Sequence, residues 1–180
     1  MESEKTVIGR CPLCGGDVIK TLKGYACVNS LDPEPKCNFF LFSIIGNRRI
    51  SDQEANLFLS SKRILLDGFA NKEGKIFSSV LSFNDDGTVN MSSQVGTCPK
   101  CQGVLYINAR SVSCGNFKDK TNPCNFTIWR NIGNHYLSLN ELDEIICLGS
   151  TAQPIRLYDP KGNSTMQKLG LNSEKEVVRL

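Results

Sequence analysis

The stretch GRCPLCGGDVIKTLKGYAC, residues 9–27, decides how this chain is read. Two residues separate Cys11 from Cys14, and glycines follow at Gly15 and Gly16. Such a knuckle presents two sulfurs from one tight turn whose amides can point at them, and glycine suits the backbone that turn demands. The segment DVIKTLKGYACV then runs as short alternating pieces with a polar turn between them, the pattern of a β-hairpin that ends on Cys27. Cys37 follows after VNSLDPEPK and completes C-x2-C-x12-C-x9-C.

The formula occurs twice. Cys98, Cys101, Cys114 and Cys124 repeat it at an offset of 87 residues, and the same offset pairs Gly9 with Gly96, Gly16 with Gly103, Asn29 with Asn116, and Phe39 with Phe126. It carries Ile45-Gly46-Asn47 onto Ile132-Gly133-Asn134 and Glu54 onto Glu141. With one residue inserted in the second copy, Gly74 pairs with Gly162 and Val89 with Val177. The chain is therefore read as two tandem modules, residues 1–94 and 95–180.

Behind each cysteine region lies a helix signal. Ser51-Asp52-Gln53-Glu54 and Ser138-Leu139-Asn140-Glu141 are S-x-x-E capping boxes. Ala55, Phe58 and Leu59, and likewise Leu142, Ile145 and Ile146, recur at helical spacing. After the helix, ILLDGF, the turn NKEGK and IFSSVLSF read as strands, with NDDG before TVNM as a further turn. The second copy is weaker here, although Asp159-Pro160-Lys161-Gly162 keeps turn chemistry. The expected fold is small α+β and zinc-ribbon-like, each module having a four-cysteine β-hairpin ribbon, a short capped helix and a β-hairpin.

Cysteines in this spacing, in a chain whose start MESEKTVIGR has no apolar signal core, are expected as thiolate ligands of two structural Zn²⁺ ions. Disulfides and an iron site are the alternatives. Four thiolates close a zinc site, which leaves no open position for catalysis. His135, the one histidine, stands where the first copy has Arg48 and is expected as an exposed turn residue rather than a ligand. Cys147 stands where the first copy has Ser60 and is expected as a buried thiol. No apolar run reaches membrane-spanning length, so the reading is a cytoplasmic chain with no membrane partner.

The formal charge of +3 treats cysteine as neutral, and two tetrathiolate zinc sites at about −2 each lower it to about −1. Position matters more than total. Residues 9–50 hold six basic and three acidic side chains, and residues 96–137 hold five and one, so positive charge gathers on the ribbons. After Cys37 the strand FFLF sets Phe40 and Phe42 on one face and Phe39 and Leu41 on the other. Phe39 and Phe126, alike in both copies, read as ribbon core. Phe42 and Trp129 are candidates for stacking on bases, or else pack against the helix of their own module. Phe40 and Tyr25 are further aromatic candidates, and Arg48, Arg49, Arg110 and Arg130 are the candidate cations.

The residues GRCPLCGGDV at 9–18, KGYAC at 23–27, CNF at 37–39, the capped helix at Ser51 and GFANKEGKIF at 68–77 resemble the C-terminal zinc-finger repeats of bacterial type IA DNA topoisomerases, topoisomerase III-like branch. The resemblance implies zinc ribbons that bind single-stranded DNA. It does not imply topoisomerase activity, because the catalytic core of that family is several times longer and Tyr25, Tyr106, Tyr136 and Tyr158 stand in no recognisable catalytic setting. The expected function is a non-catalytic accessory to a DNA-processing or DNA-transfer complex, without a small-molecule substrate. The alternative is a protein-interaction adaptor that uses the ribbons as scaffold.

Overall fold

The computed structural model describes residues 6–180; residues 1–5, the beginning of the segment read as lacking a signal core, lie outside the described residues. The chain divides into two compact units that meet at Ser92 and Ser93. Among the described residues no helix is long and apolar enough to cross a membrane.

In the first unit β1 (Val7–Arg10), β2 (Asp17–Lys20), β3 (Gly24–Cys27) and β4 (Phe40–Phe42) form an antiparallel four-stranded sheet in chain order. A two-residue hairpin follows, β5 (Ile44–Ile45) and β6 (Arg48–Arg49). Its turn residues Gly46 and Asn47 have φ of +52° and +58°, the left-handed pair of a type I′ turn whose twist matches the flanking strands. Helix α1 (Asp52–Ser61) begins at Ser51, whose Oγ accepts the Glu54 amide at 3.2 Å while Glu54 Oε2 accepts the Ser51 amide at 2.9 Å. Ala55, Phe58 and Leu59 face inward. A three-stranded sheet closes the unit: β7 (Arg63–Ala70), β8 (Ile76–Phe83) and β9 (Val89–Ser92). Phe83 stacks on Phe58 at 4.0 Å between ring centroids and meets Phe39 edge-on, so one aromatic cluster joins ribbon, helix and rear sheet.

The second unit repeats this order. Strands β10 (Gln94–Thr97), β11 (Val104–Ile107), β12 (Ser111–Cys114) and β13 (Thr127–Trp129) form its four-stranded sheet. The hairpin β14 (Asn131–Ile132) and β15 (His135–Tyr136) and helix α2 (Leu139–Leu148) follow, with the capping box on Ser138 and Glu141. Leu142, Ile145 and Ile146 are buried as the spacing requires. Even an irregularity is duplicated, since register shifts at Val7/Gly9 and again at Gln94/Gly96.

The units differ at the back. Instead of a three-stranded sheet the second has two separate pairs, β16 (Ile155–Tyr158) with β17 (Ser164–Gln167), and β18 (Leu169–Leu171) with β19 (Val177–Arg179). Buried Thr151 captures the chain between them: its amide donates to the Leu169 carbonyl at 2.8 Å and its Oγ1 accepts the Leu169 amide at 3.2 Å. The ladder that runs on through β8 is thus interrupted at Lys168.

Two sequence expectations are corrected here. Cys147 is exposed, because Ile145 and Ile146 take the inward face of α2 and the next residue turns outward. His135 is not a free turn residue: its ring nitrogen Nε2 lies 2.9 Å from Glu141 Oε1, in the capping box. Arg48 does the same in the first unit, gripping Glu54 with Nη1 and Nη2 of its guanidinium.

Candidate metal centres and nucleic-acid interface

Each knuckle forms where its spacing places it. The Gly15 amide donates back to the Cys11 carbonyl at 3.0 Å and the Gln102 amide to that of Cys98 at 2.9 Å, with Gly15 and Gln102 at φ of +75° and +63°. The sheet then carries Cys27 and Cys114 to the ends of β3 and β12. The proline-containing loop returns the fourth cysteine, held by Lys36 N donating to Asn29 O and Cys124 N donating to Asn116 O, both at 3.1 Å.

The four sulfurs of each group lie within 4.8 Å of one another. Cys11 and Cys37 are 3.7 Å apart, Cys14 and Cys27 3.5 Å, Cys98 and Cys124 3.8 Å, and Cys101 and Cys114 3.4 Å. Thiolates at about 2.3 Å from a tetrahedral ion are spaced at about 3.8 Å, whereas a disulfide needs about 2.0 Å. The spacing fits a metal ion in each group and fits no pairing into disulfides.

Protein dipoles around the sulfurs agree. Phe39 N donates to Cys37 Sγ and Lys100 N to Cys98 Sγ, both at 3.4 Å. Asn29 Nδ2 donates to Cys14 Sγ at 3.4 Å, and Asn116 Nδ2 to Cys101 Sγ at 3.6 Å. The Gly16 amide and the Asn29 side chain pull the Cys14 thiol down to about 6, and the Gly103 amide pulls Cys101 down to about 7. Burial pushes Cys27 and Cys114 up to about 12 and also raises Cys37 and Cys98. Each group thus pairs an easily ionised outer thiol with buried thiols whose charge calls for a cation beside it.

Asn29 and Asn116 are the residues that sequence reading matched without assigning a role. Their placement explains why glycine stands at 16 and 103. A Cβ on Gly16 would meet Asn29 Nδ2 at 2.8 Å and Cys27 Sγ at 3.2 Å, and one on Gly103 would meet Asn116 Nδ2 at 2.7 Å.

The residues expected to meet nucleic acid separate into two sets. Phe42 is 58% exposed and Trp129 61%, so neither packs on its helix. Phe40 is half-buried with its ring edge-on to Phe42, and Arg49 and Arg110 are exposed. Tyr25 and Arg130 are corrections. Tyr25 is 1% exposed, its hydroxyl 2.9 Å from both the Ile50 carbonyl oxygen and Asp52 Oδ1; burial and Asp52 push that hydroxyl up to about 12. Arg130 is 4% exposed and its Nη1 donates to the Asn108 carbonyl at 3.0 Å. Neither can reach a base or phosphate while the fold stands. Arg48 is committed to Glu54 and to the Asp67 carbonyl.

Sequence reading missed Tyr136. It is 65% exposed and joins Trp129, Arg110, Ala109 and Asn131 around a hollow of about 230 Å³. At the offset of 87 the first unit offers Lys23, Phe42, Ile44 and Arg49, all exposed. The offset that equates Trp129 with Phe42 also equates Tyr136 with Arg49, and that was the available signal.

Residues 36–92 match the family model described as the C-terminal repeat of topoisomerase. The match begins just before Cys37 and takes in β4 to β9 with α1, so it rests on the helix and rear sheet of the first unit and omits Cys11, Cys14 and Cys27. No curated protein and no solved structure matches the chain.

Proposed function

We propose that this is a non-catalytic zinc-ribbon protein that binds single-stranded DNA and serves a DNA-processing or DNA-transfer complex. The observation that carries the reading is a duplicated surface aromatic beside a cation. Phe42 and Trp129 close the fourth ribbon strand of each unit, half or more exposed; Phe42 pairs with Gly24, next to exposed Lys23, and Trp129 shares a hollow with Arg110. An aromatic platform contributes about 1 to 3 kcal/mol for each base stacked on it, and neighbouring cations take the phosphates. The family match supports a place among topoisomerase-associated repeats. Four thiolates at tetrahedral spacing support a reading of zinc, two ions per chain, each structural because four sulfurs leave no open position.

Fluorescence anisotropy with a labelled oligonucleotide of no secondary structure tests the reading. Binding in the micromolar range that weakens with salt, and that Trp129→Ala weakens about tenfold while leaving metal content unchanged, supports it. Salt-insensitive binding, or no binding at low salt, sinks it.

A protein-interaction adaptor is the second reading, favoured by the apolar surface of the first unit: Phe42, Ile44, Val7 and Leu22 are all exposed. Recovery of partners from the native host after nuclease treatment separates the readings, because an adaptor keeps its partners when nucleic acid is digested.

A further inference from the structure

The two ribbons share a backbone, but the outer faces of their four-stranded sheets differ in chemistry. In the first, Ile19, Ala26 and Phe40 form one cross-strand row. Ile19 and Ala26 are buried there, and Phe40 stands beside them with its ring against Phe42. The same row in the second unit is Tyr106, Ser113 and Thr127. Hydroxyls replace the apolar cover. Thr127 Oγ1 lies 3.4 Å from Ser113 Oγ, Ser113 Oγ 3.1 Å from Ser111 Oγ, and Asn108 Nδ2 donates to Ser111 Oγ at 3.0 Å.

Thr127 stands where the first unit has Phe40, and hollows open beside it. A hollow of about 760 Å³ runs past Ser113, Thr127, Asn125 and Lys100 to Phe117. A second hollow, about 550 Å³, shares Lys100, Asn125 and Thr127 with it and continues to Trp129, with Glu174, Lys175 and Glu176 also on its wall. An exposed aromatic therefore stands at each end, Phe117 and Trp129, with hydrogen-bonding groups between them. Lys100 Nζ donates to Asn125 Oδ1 at 2.8 Å. That contact fixes the exposed Asn125 amide with its N–H groups on the opposite side, as donors to whatever enters. The first unit has Leu13 and Ser30 at the places of Lys100 and Phe117, and so lacks both the cation and the second ring.

We propose that the second ribbon reads one base of the bound DNA strand in this groove, favouring bases with an exocyclic ring oxygen over adenine, while the first ribbon stacks without discrimination. The reading rests on the single-stranded DNA function proposed above. The donor set is what selects: the Asn125 N–H groups and Lys100 Nζ call for more than one acceptor, and thymine supplies two at O4 and O2, whereas the pairing edge of adenine has one, N1, beside an amino donor. A base that leaves those groups unpaired in the groove binds more weakly.

Affinity for unstructured 15-residue oligonucleotides of dT and of dA is measured on the metal-loaded full chain and on the double variant Ser113→Ala, Thr127→Phe. This variant installs the residues that the first ribbon already packs at the matching positions. Self-stacking of the dA oligonucleotide affects wild type and variant alike, so the change in preference isolates the groove. The preference for dT over dA is expected to fall about tenfold in the variant. Asn125→Ala, an exposed substitution, gives the same fall and serves if the double variant loses its second metal ion. An unchanged preference in both variants overturns base reading and leaves single-stranded DNA binding intact. Failure of wild type to bind either oligonucleotide overturns both.

Discussion

At the scale of the residue, metal binding depends on side chains that hold the ligands as well as on the sulfurs. Asn29 and Asn116 each donate to the outer sulfur of their own group, and each has a glycine opposite because nothing larger fits. Removing a group that hydrogen-bonds a metal ligand costs about 10- to 100-fold in metal affinity. Asn116→Ala is therefore expected to lower the affinity of the second site by that factor and leave the first unchanged, read by competition with a chromophoric chelator. The cysteines were legible because spacing alone brings them together. The asparagines were visible only as a matched pair, since their partner sulfurs lie 15 residues away in the sequence and meet them only when the sheet forms.

At the scale of the element, the capping boxes do more than begin helices. Glu54 closes the first turn of α1 and also receives Arg48 from the β5–β6 hairpin, whose guanidinium continues to the Asp67 carbonyl of β7. One carboxylate thus ties hairpin, helix and rear sheet together. Arg48, and after it the Ser51 amide, hold the Glu54 carboxyl down at about 2 against an ordinary 4.5. A lowered carboxyl contributes stability that is complete above its unfolded value and is lost as pH falls through its folded value. The stability advantage of wild type over Glu54→Gln is expected to stay level down to about pH 5, to shrink below about 4.5, and to vanish near pH 2. Urea unfolding of both proteins at each pH measures it, and comparing the pair cancels the loss of metal from thiolates in acid. The second unit has His135 in place of Arg48, its ring nitrogen against Glu141. Caps and turns were legible because they are local. The broken rear sheet of the second unit was not, because it depends on Thr151 capturing Leu169 across the intervening hairpin.

At the scale of the whole molecule, each unit is small and places its metal group in its core. Cys11 and Cys27 pack in one buried cluster with Tyr25, Phe39 and Phe58, and Cys37 lies against it. Apparent zinc-binding free energies of about 10 to 16 kcal/mol match or exceed the roughly 5 to 15 kcal/mol that keeps a domain folded. Chelation of both metal ions is therefore expected to unfold both ribbons. Because the chain divides at Ser92 and Ser93, Cys98→Ser is expected to unfold the second unit and spare the first. Circular dichroism with metal analysis checks both outcomes: two ions per chain in wild type and one in the variant.

The sequence by itself determined the cysteine quartets, the duplication, the capped helices and which side chains alternate onto a common face, because each follows from spacing along the chain. It could not decide which faces other elements would cover. Phe40 and Thr127, Tyr25 and Val112, Arg49 and Tyr136 occupy matched places, and their sequence neighbours leave open which of them meet solvent. Exposure is a property of packing between distant segments. Only the tertiary structure buries Tyr25 beside Asp52, turns Arg130 inward to the Asn108 carbonyl, and leaves Trp129 and Tyr136 outside around a hollow of the second ribbon.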